Sequence, residues 1–422
     1  MTPELGRRIA FTIGALLVYR LGTYVPLPGI NPSVWEALYR SQEGGALGAF
    51  GALSGGGLQR LAIFALGIIP YISAAILLQL VMIVSARLRA VARRGLQGRS
   101  AIVRYTRILA IVLAVFQAYG IAVGLEGAGS VVSDPGWSFR SSTVVTLTGG
   151  TVFLIWLSDQ MTARGIGNGI ALLLAVGIVT ELPSAIAGTL ELGRQGAFSS
   201  NLILGLALLM IVVTALVTCM ERARRHLPIE YSGRRADGRE IHGRSRLAMK
   251  LNNAGLIPTI LAPWVLAIPI TLITVLVGQD VEWWNATWSE LQPGRPWYMA
   301  LYAALIIICV FFYTAFVLDP DEAAEDLKRY GGVVKGITPG EPTARYLDGV
   351  ISRTSMAGAL YLALVCLIPE LLIFYAGVPF YFGGTSFMII VCTALDIEAQ
   401  VRKADARSGE TIDPEVPNGA LA

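Results

Sequence analysis

The sequence predicts an all-α polytopic membrane protein with ten transmembrane helices, and three observations carry that prediction. Of 422 residues, 54% are hydrophobic and only 15% charged, against roughly 25% charged in an average soluble chain. The charges are crowded between long apolar runs instead of being spread along the chain. When ten such runs are taken as spans, the basic residues sort almost wholly to one side of the membrane.

A spanning helix needs about 20 mostly apolar residues, because the hydrocarbon layer is about 30 Å thick. Runs of this kind begin near Ile9, Leu61, Ile108, Val144, Ile166, Leu202, Leu256, Trp297, Met356 and Phe380. The first follows Arg7 and Arg8 as a secretion signal does. Tyr19-Arg20-Leu21-Gly22 stands where a small-residue cleavage site belongs, so the run reads as a retained helix. The second lies in the charge-free stretch between Arg60 and Arg87, the third between Arg107 and Glu126, and the fourth between Arg140 and Asp159. The sixth lies between Arg194 and Glu221, the seventh between Lys250 and Asp280, and the eighth between Arg295 and Asp319. Three signals are weaker: Ile166–Ala187 contains Glu181, Met356–Tyr375 contains Glu370, and Phe380–Leu395 is short. Ten helices of about 20 residues take about half the chain, which leaves loops and no separate soluble domain.

Orientation follows from the basic residues. Arg7, Arg8, loop 87–107, Arg164, loop 222–250, loop 328–353 and the tail fall on one side and hold 27 of the 33 lysines and arginines. Arg40, Arg60, Arg140, Arg194 and Arg295 fall on the other, and Arg20 sits near the end of the first helix. Basic loops stay in the cytoplasm, so both termini are expected there.

The same inventory excludes several chemistries. A formal net charge of +4 is too small a bias to suggest nucleic acid. The chain has no G-x-x-x-x-G-K-[ST] loop to cradle phosphates and no H-E-x-x-H. Its two histidines, His226 and His242, both lie in the loop after the sixth span, and no cysteine or carboxylate cluster completes a metal site around them. No catalytic residue, metal or cofactor is expected. Ion-coupled transporters keep ionisable groups near the middle of their spans, whereas Asp159, Glu181, Glu370 and Asp396 fall toward span ends. The chain reads as a conduit powered from elsewhere, the alternative being a secondary transporter of a small amphiphilic solute. Cys219, Cys309, Cys366 and Cys392 read as small packing residues. Trp283, Trp284, Trp288 and Trp297 read as an interfacial aromatic belt.

Three stretches are more specific. They are Tyr19–Ile30 (YRLGTYVPLPGI), Phe64–Gln79 (FALGIIPYISAAILLQ) and Trp156–Ile170 (WLSDQMTARGIGNGI). Asn253–Pro258, Pro339–Ala344 and Pro379–Ser386 extend the match over nearly the whole chain. Together they resemble the SecY family, the channel subunit of the bacterial Sec protein translocon. The resemblance implies two inverted, pseudo-symmetric five-helix halves around a central pore: residues 1–190 and 191–400, followed by a cytoplasmic tail at 401–422. It implies a protein-conducting channel in the bacterial plasma membrane that translocates unfolded secretory polypeptides and releases membrane segments laterally. The implied partners are SecE-like and SecG-like subunits, the SecA motor or the ribosome, signal sequences and nascent polypeptides, and the lipid bilayer.

Carried over position by position, the family's pore ring falls on Ile68, Ile72, Ile170, Leu174, Ile260 and Ile389. A ring of branched aliphatic side chains is narrow and dewetted, yet deforms around a passing chain. The plug falls on 46–60, with Leu47, Phe50, Leu53, Ser54, Gly55, Gly56, Leu58 and Arg60. Its five glycines and single charge suit a short helix that packs closely and is easily displaced. The lateral gate falls on Ser73, Gln79 and Asn252. Cytoplasmic docking falls on loops 221–250 and 319–353, through Arg222, Arg224, Arg225, Arg234, Arg235, Arg239, Thr338 and Arg345. Eight arginines between Arg222 and Arg246 exceed what orientation requires and favour an acidic partner such as ribosomal RNA. Two departures bear on coupling: Thr338 stands where the family carries a basic residue before Pro-Gly, and 94–100 lacks the usual charge pattern. They point to a divergent housekeeping channel or to a specialised paralogue with altered motor use.

Overall fold

Proline decides where several of the helices begin. In the computed structural model the elements run in chain order as α1 (Pro3–Gly22), α2 (Pro32–Ser41), α3 (Ile69–Val84), α4 (Ala86–Ala92), α5 (Gly95–Gly127), α6 (Trp137–Arg164), α7 (Gly169–Arg194), α8 (Ser200–Arg222), β1 (Arg224–Arg234), β2 (Glu240–Lys250), α9 (Pro296–Val317), α10 (Pro320–Arg329), β3 (Gly332–Val334), α11 (Glu341–Ala376) and α12 (Gly384–Gly409). α1, α2, α9 and α10 open on a proline, and α3 has one in its first turn. That position needs no N–H donor, and proline's fixed φ already suits the helix. The structure describes residues 3–41, 51, 54–92, 95–128, 131–234, 240–263, 265–266, 291, 295–329, 331–376 and 384–409.

Among the described residues, seven helices are long and apolar enough to cross a membrane. They are α5, α6, α7, α8, α9 taken with α10, α11 and α12. The three spans with the weaker hydropathy signal are all among them, so Glu181 and Glu370 do not interrupt their helices. The first, second and seventh runs are not. α1 is 20 residues long and carries Glu4, Arg7, Arg8 and Arg20. The second run begins as successive turns over 61–68, and the helix α3 that follows has only 16 residues. Gly67, with φ +56, and Pro70 explain the late start. The seventh is helical over 257–263 before it leaves the described residues, and Trp283, Trp284 and Trp288 lie outside them as well.

The chain divides into two compact units. The first comprises Met1–Met210 and Tyr375–Glu410. Its centre is α5, which packs on both α3 and α6. Ala110, Ala114, Ala118 and Ala122 recur every fourth residue on one face of α5 and are fully buried. Methyl-sized side chains let helices approach closely where water provides no driving force. Ala118 and Ala122 join a core with Leu27, Trp35, Leu58, Leu61, Leu66 and Leu147. The opposite face carries Val112, Phe116 and Tyr119, all exposed, as suits a surface facing lipid. Glu126 closes the α5–α6 loop, accepting from the Gly136 amide at 2.9 Å and pairing with Arg140 at 2.6 Å.

The second unit comprises Ile211–Phe374 and Thr411–Ala422. Loop 222–250, expected as a basic loop, carries the hairpin β1–β2, paired antiparallel from Arg224↔Lys250 to Arg234↔Glu240. β3 adds on the other side of β1 to give the order β2-β1-β3. Leu227 and Ile229 are buried while His226, Pro228 and Glu230 are exposed, the period of two that a half-buried strand requires. Leu227 and Met249 pack with Ala324 of α10 and with Ala344, Leu347, Val350 and Ile351 of α11. The base of the hairpin is therefore rooted on two helices.

Candidate functional site

Arg164–Ile170 folds as a tight turn because only glycine fits at three of its positions. A Cβ on Gly169 would overlap the Ser158 carbonyl oxygen, and one on Gly165 would stand 2.5 Å from Thr12 Oγ1. Gly167 adopts φ +83, a region that favours glycine. Asn168 caps α7, its Oδ1 accepting from the amides of Ile170 at 3.0 Å and Ala171 at 3.4 Å. Two further amides of the turn are taken by distant side chains. Ile166 donates to Thr12 Oγ1 at 3.1 Å, and Gly167 donates to Gln400 Oε1 at 2.8 Å. The turn is thus fixed on α1 at one side and on α12 at the other.

That fixing sets the depth at which α7 begins. Ile166 lies against Thr12, and Gly177 lies close enough to Tyr19 that a Cβ would stand 3.3 Å from its hydroxyl. Seven residues of α1 separate these levels, about 10 Å of rise. Ile170 and Leu174, one turn apart on α7, lie between them, deep along α1. Thr393 Oγ1 donates to the Ile389 carbonyl at 2.6 Å and is 3.4 Å from the Ala171 carbonyl, which brings the Ile389 turn of α12 onto the start of α7. On α3, Ile68 caps the helix and Ile72 follows one turn later. Ile68, Leu174 and Ile389 are buried, and Ile72 and Ile170 half-buried. These five belong to the first unit; Ile260, half-buried, belongs to the second.

The segment before α3 is held by bonds from its own backbone and from distant side chains. Residues 54–67 run mainly as turns, and of the expected plug 46–60 only 51 and 54–60 lie among the described residues. Ser54 is fully buried; its hydroxyl donates to the Gly51 carbonyl at 2.9 Å and accepts from the Leu58 amide at 3.0 Å. Gly55 and Gly56 have φ +63 and +76. Leu58 is buried, and Arg60 lies with its guanidinium carbon 4.4 Å from the centre of the Tyr24 ring. Leu47, Phe50 and Leu53 lie outside the described residues. Three groups reach the turn, the Tyr19 hydroxyl, the Arg20 guanidinium and the Trp35 indole; the first two open the Tyr19–Ile30 stretch, and no motif marks the third.

Of the three residues expected at the lateral gate, Ser73 and Asn252 have polar partners within their own units. Ser73 Oγ donates to the Ile69 carbonyl of its own helix at 3.0 Å, and Gln79 is half-buried on the same helix. Asn252, in the second unit, is 4% exposed. Its Nδ2 donates to Glu221 Oε1 at 2.7 Å, and its Oδ1 accepts from the Gly255 amide at 3.0 Å. Glu221 also lies 3.5 Å from the Tyr361 hydroxyl of α11.

Of the basic positions, Arg222 ends α8, and Arg224 and Arg225 open β1, all three exposed. Arg234 ends β1, while Arg235 and Arg239 lie outside the described residues. Thr338 stands in the turn before α11, between Gly336 and Gly340, both at positive φ. Arg345, on the first turns of α11, pairs with Glu341 at 2.6 Å.

The family model described as SecY matches residues 62–398. The protein translocase subunit SecY of Escherichia coli (strain K12) is 45% identical over 405 residues, covering 94% of this chain and 91% of that one. Sec61 in the canine ribosome–channel complex from the endoplasmic reticulum is similar in structure, with a TM-score of 0.61 and 17% identity over 95% of this chain and 93% of that one. A SecY whose plug domain stabilises the closed state of the translocation channel and maintains a membrane seal is similar with a TM-score of 0.59 and 18% identity, over 95% and 92% of the two chains. At these identities the two solved structures speak to the fold.

Proposed function

This chain belongs to the SecY family and is a multi-pass membrane protein that forms a protein-conducting channel; from that premise we propose how its residues divide the work. Unfolded secretory polypeptides pass through a constriction formed by Ile68, Ile72, Ile170, Leu174, Ile260 and Ile389. Branched aliphatic side chains hold no water when empty and offer no fixed hydrogen bonds, so they bar ions and accept any sequence. Residues 46–60 form the plug that seals the resting channel. One observation carries this reading above the others: Gly55 packs on Gly177, three residues beyond Leu174 on α7.

Membrane segments leave sideways past Ser73 and Gln79 on one unit and Asn252 on the other. Because Ser73 bonds within its own helix and Asn252 to Glu221, parting the two sides leaves both of these groups with their partners.

The full count is ten spans with both termini in the cytoplasm of a bacterial plasma membrane. α1, α3 and the helix over 257–263 supply the three beyond the seven long apolar helices. The chain assembles as two inverted halves, 1–190 and 191–400, with SecE-like and SecG-like subunits. SecA or the ribosome docks on the cytoplasmic loops at Arg222, Arg224, Arg225, Arg234, Arg235, Arg239, Thr338 and Arg345 and supplies the energy. The test is replacement: after depletion of a bacterial host's own channel subunit, this chain should restore export of a secretory precursor. Continued accumulation of the precursor, with the chain present in the membrane, would overturn the proposal.

A further inference from the structure

We infer that Tyr19, Arg20 and Trp35 are positioning residues that hold the plug turn in place by gripping its backbone carbonyls. The inference rests on the plug assignment and names the groups that act on it. Three donors from two helices reach three carbonyls of one short turn. The Tyr19 hydroxyl donates to the Ser54 carbonyl at 3.2 Å, Arg20 Nη1 to the Gly55 carbonyl at 2.9 Å, and Trp35 Nε1 to the Leu58 carbonyl at 3.0 Å. Arg20 is itself fixed. Its Nη2 donates to the Tyr24 hydroxyl at 2.9 Å, and its guanidinium carbon lies 4.8 Å from the centre of that ring.

Because every acceptor is main chain, the grip ignores the plug's side chains and depends on how near its backbone comes. Glycine sets that nearness. A Cβ on Gly55 would stand 2.6 Å from the Tyr19 hydroxyl and 2.9 Å from Gly177 Cα. One on Gly56 would stand 2.5 Å from Glu181 Oε1 and 2.8 Å from Arg60 Nη1. The glycines are therefore needed for a close fit in the held position, and not only for ease of displacement.

Past the grip, the chain is fastened differently. The Leu27 amide donates to the Leu61 carbonyl and the Ile63 amide to the Val25 carbonyl, both at 2.9 Å. The Phe64 ring stacks on Tyr19 and on Phe153, at centroid distances of 6.2 and 5.8 Å. A Cβ on Gly22 would overlap that ring, and one on Gly150 would overlap the Ile63 carbonyl oxygen. Leu61, between the two regions, is buried with φ +44, a costly conformation for a leucine that its neighbours enforce. The turn is held by distant side-chain donors before Leu61 and by pairing with 25–27 and ring packing after it.

The test measures resting ion conductance of the purified channel complex in planar lipid bilayers. Tyr19→Phe and Trp35→Phe each delete one donor and leave an aromatic ring. Loss of one such hydrogen bond should raise conductance roughly two- to tenfold. Arg20→Gln should raise it further, and Arg20→Lys should restore part of the seal. Gly55→Ala should act in the same direction from the plug side. Deletion of Leu47–Gly57 is the reference: in that background the donor substitutions should add nothing, since groups acting through one element are not additive. If the deletion leaves conductance unchanged, the plug assignment itself falls. If the deletion raises conductance but the donor variants match wild type, the grip falls and the plug stands. Donor effects that persist undiminished in the deletion background would also overturn the grip, because they would arise elsewhere in the pore.

Discussion

The Gly167 amide donates to Gln400 Oε1 at 2.8 Å across 233 positions of sequence. Through this bond the end of α12 holds the turn that launches α7, and with it the depth of Ile170 and Leu174. Gly167 is buried, so its N–H has no water to turn to. Gln400→Leu should cost about 1–3 kcal/mol, the penalty of an unsatisfied buried donor, read as a lower unfolding temperature of the purified complex. Gln400→Glu keeps the acceptor but replaces the Nε2 donor to Asp396 Oδ2, 3.3 Å away, with a second carboxylate, so it should recover only part of the loss.

Glycines divide sharply by what surrounds them. Gly169→Ala would drive a methyl group into the Ser158 carbonyl oxygen, so α6 and α7 must separate. Its level in the membrane should fall several-fold. Gly124 and Gly149, inside α5 and α6, have nothing within 4 Å of the place an added methyl group would occupy. Gly124→Ala and Gly149→Ala should be neutral or stabilising by up to about 1 kcal/mol. Thermal unfolding of the three variants in one detergent provides the comparison.

Polar substitution in the constriction should hydrate it. Ile170→Asn, with the plug intact, should raise resting ion conductance and weaken discrimination against small ions, because an amide keeps water where a branched alkyl group expels it. Ile170→Val retains the apolar surface and should remain tight. Equal conductance of the asparagine and valine variants would remove Ile170 from the ring.

Thr338 stands between two glycines at positive φ, Gly336 and Gly340, and the turn they shape carries it just ahead of α11. Thr338→Arg should tighten SecA binding roughly two- to fivefold, the worth of one exposed ion pair, and the gain should shrink as salt is raised. Strong wild-type binding that the arginine leaves unimproved would show that Thr338 does not weaken coupling to the motor.

Much of this architecture was legible in the sequence, and what was hidden has physical reasons. Long charge-free runs give α5, α6, α8 and α9 directly, and the Arg164–Ile170 motif marks the α6–α7 turn. The start of α3 was hidden because Leu61–Ile68 is as apolar as any helix. Its turns are enforced by pairing with 25–27 and by a left-handed Leu61, neither of which composition records. The hairpin had a visible signal, the alternation of Leu227 and Ile229 with their neighbours, masked by the arginines around it. Thr12, Gln400 and Trp35 left no trace. Each is a single polar or aromatic residue whose partner is distant along the chain, 154 residues away for Thr12 and 233 for Gln400. Family resemblance assigns the plug to 46–60 but gives Tyr19, Arg20 and Trp35 no part in it.

The alanine face of α5 has a mechanical consequence. Helices that interlock large side chains must lift each knob from its hole before they can slide. Ala110, Ala114, Ala118 and Ala122 present a nearly smooth track to the elements packed on it. α3 and the turns before it therefore rest on α5 with no large side chain between, and a bulkier residue at any of the four positions would wedge them apart.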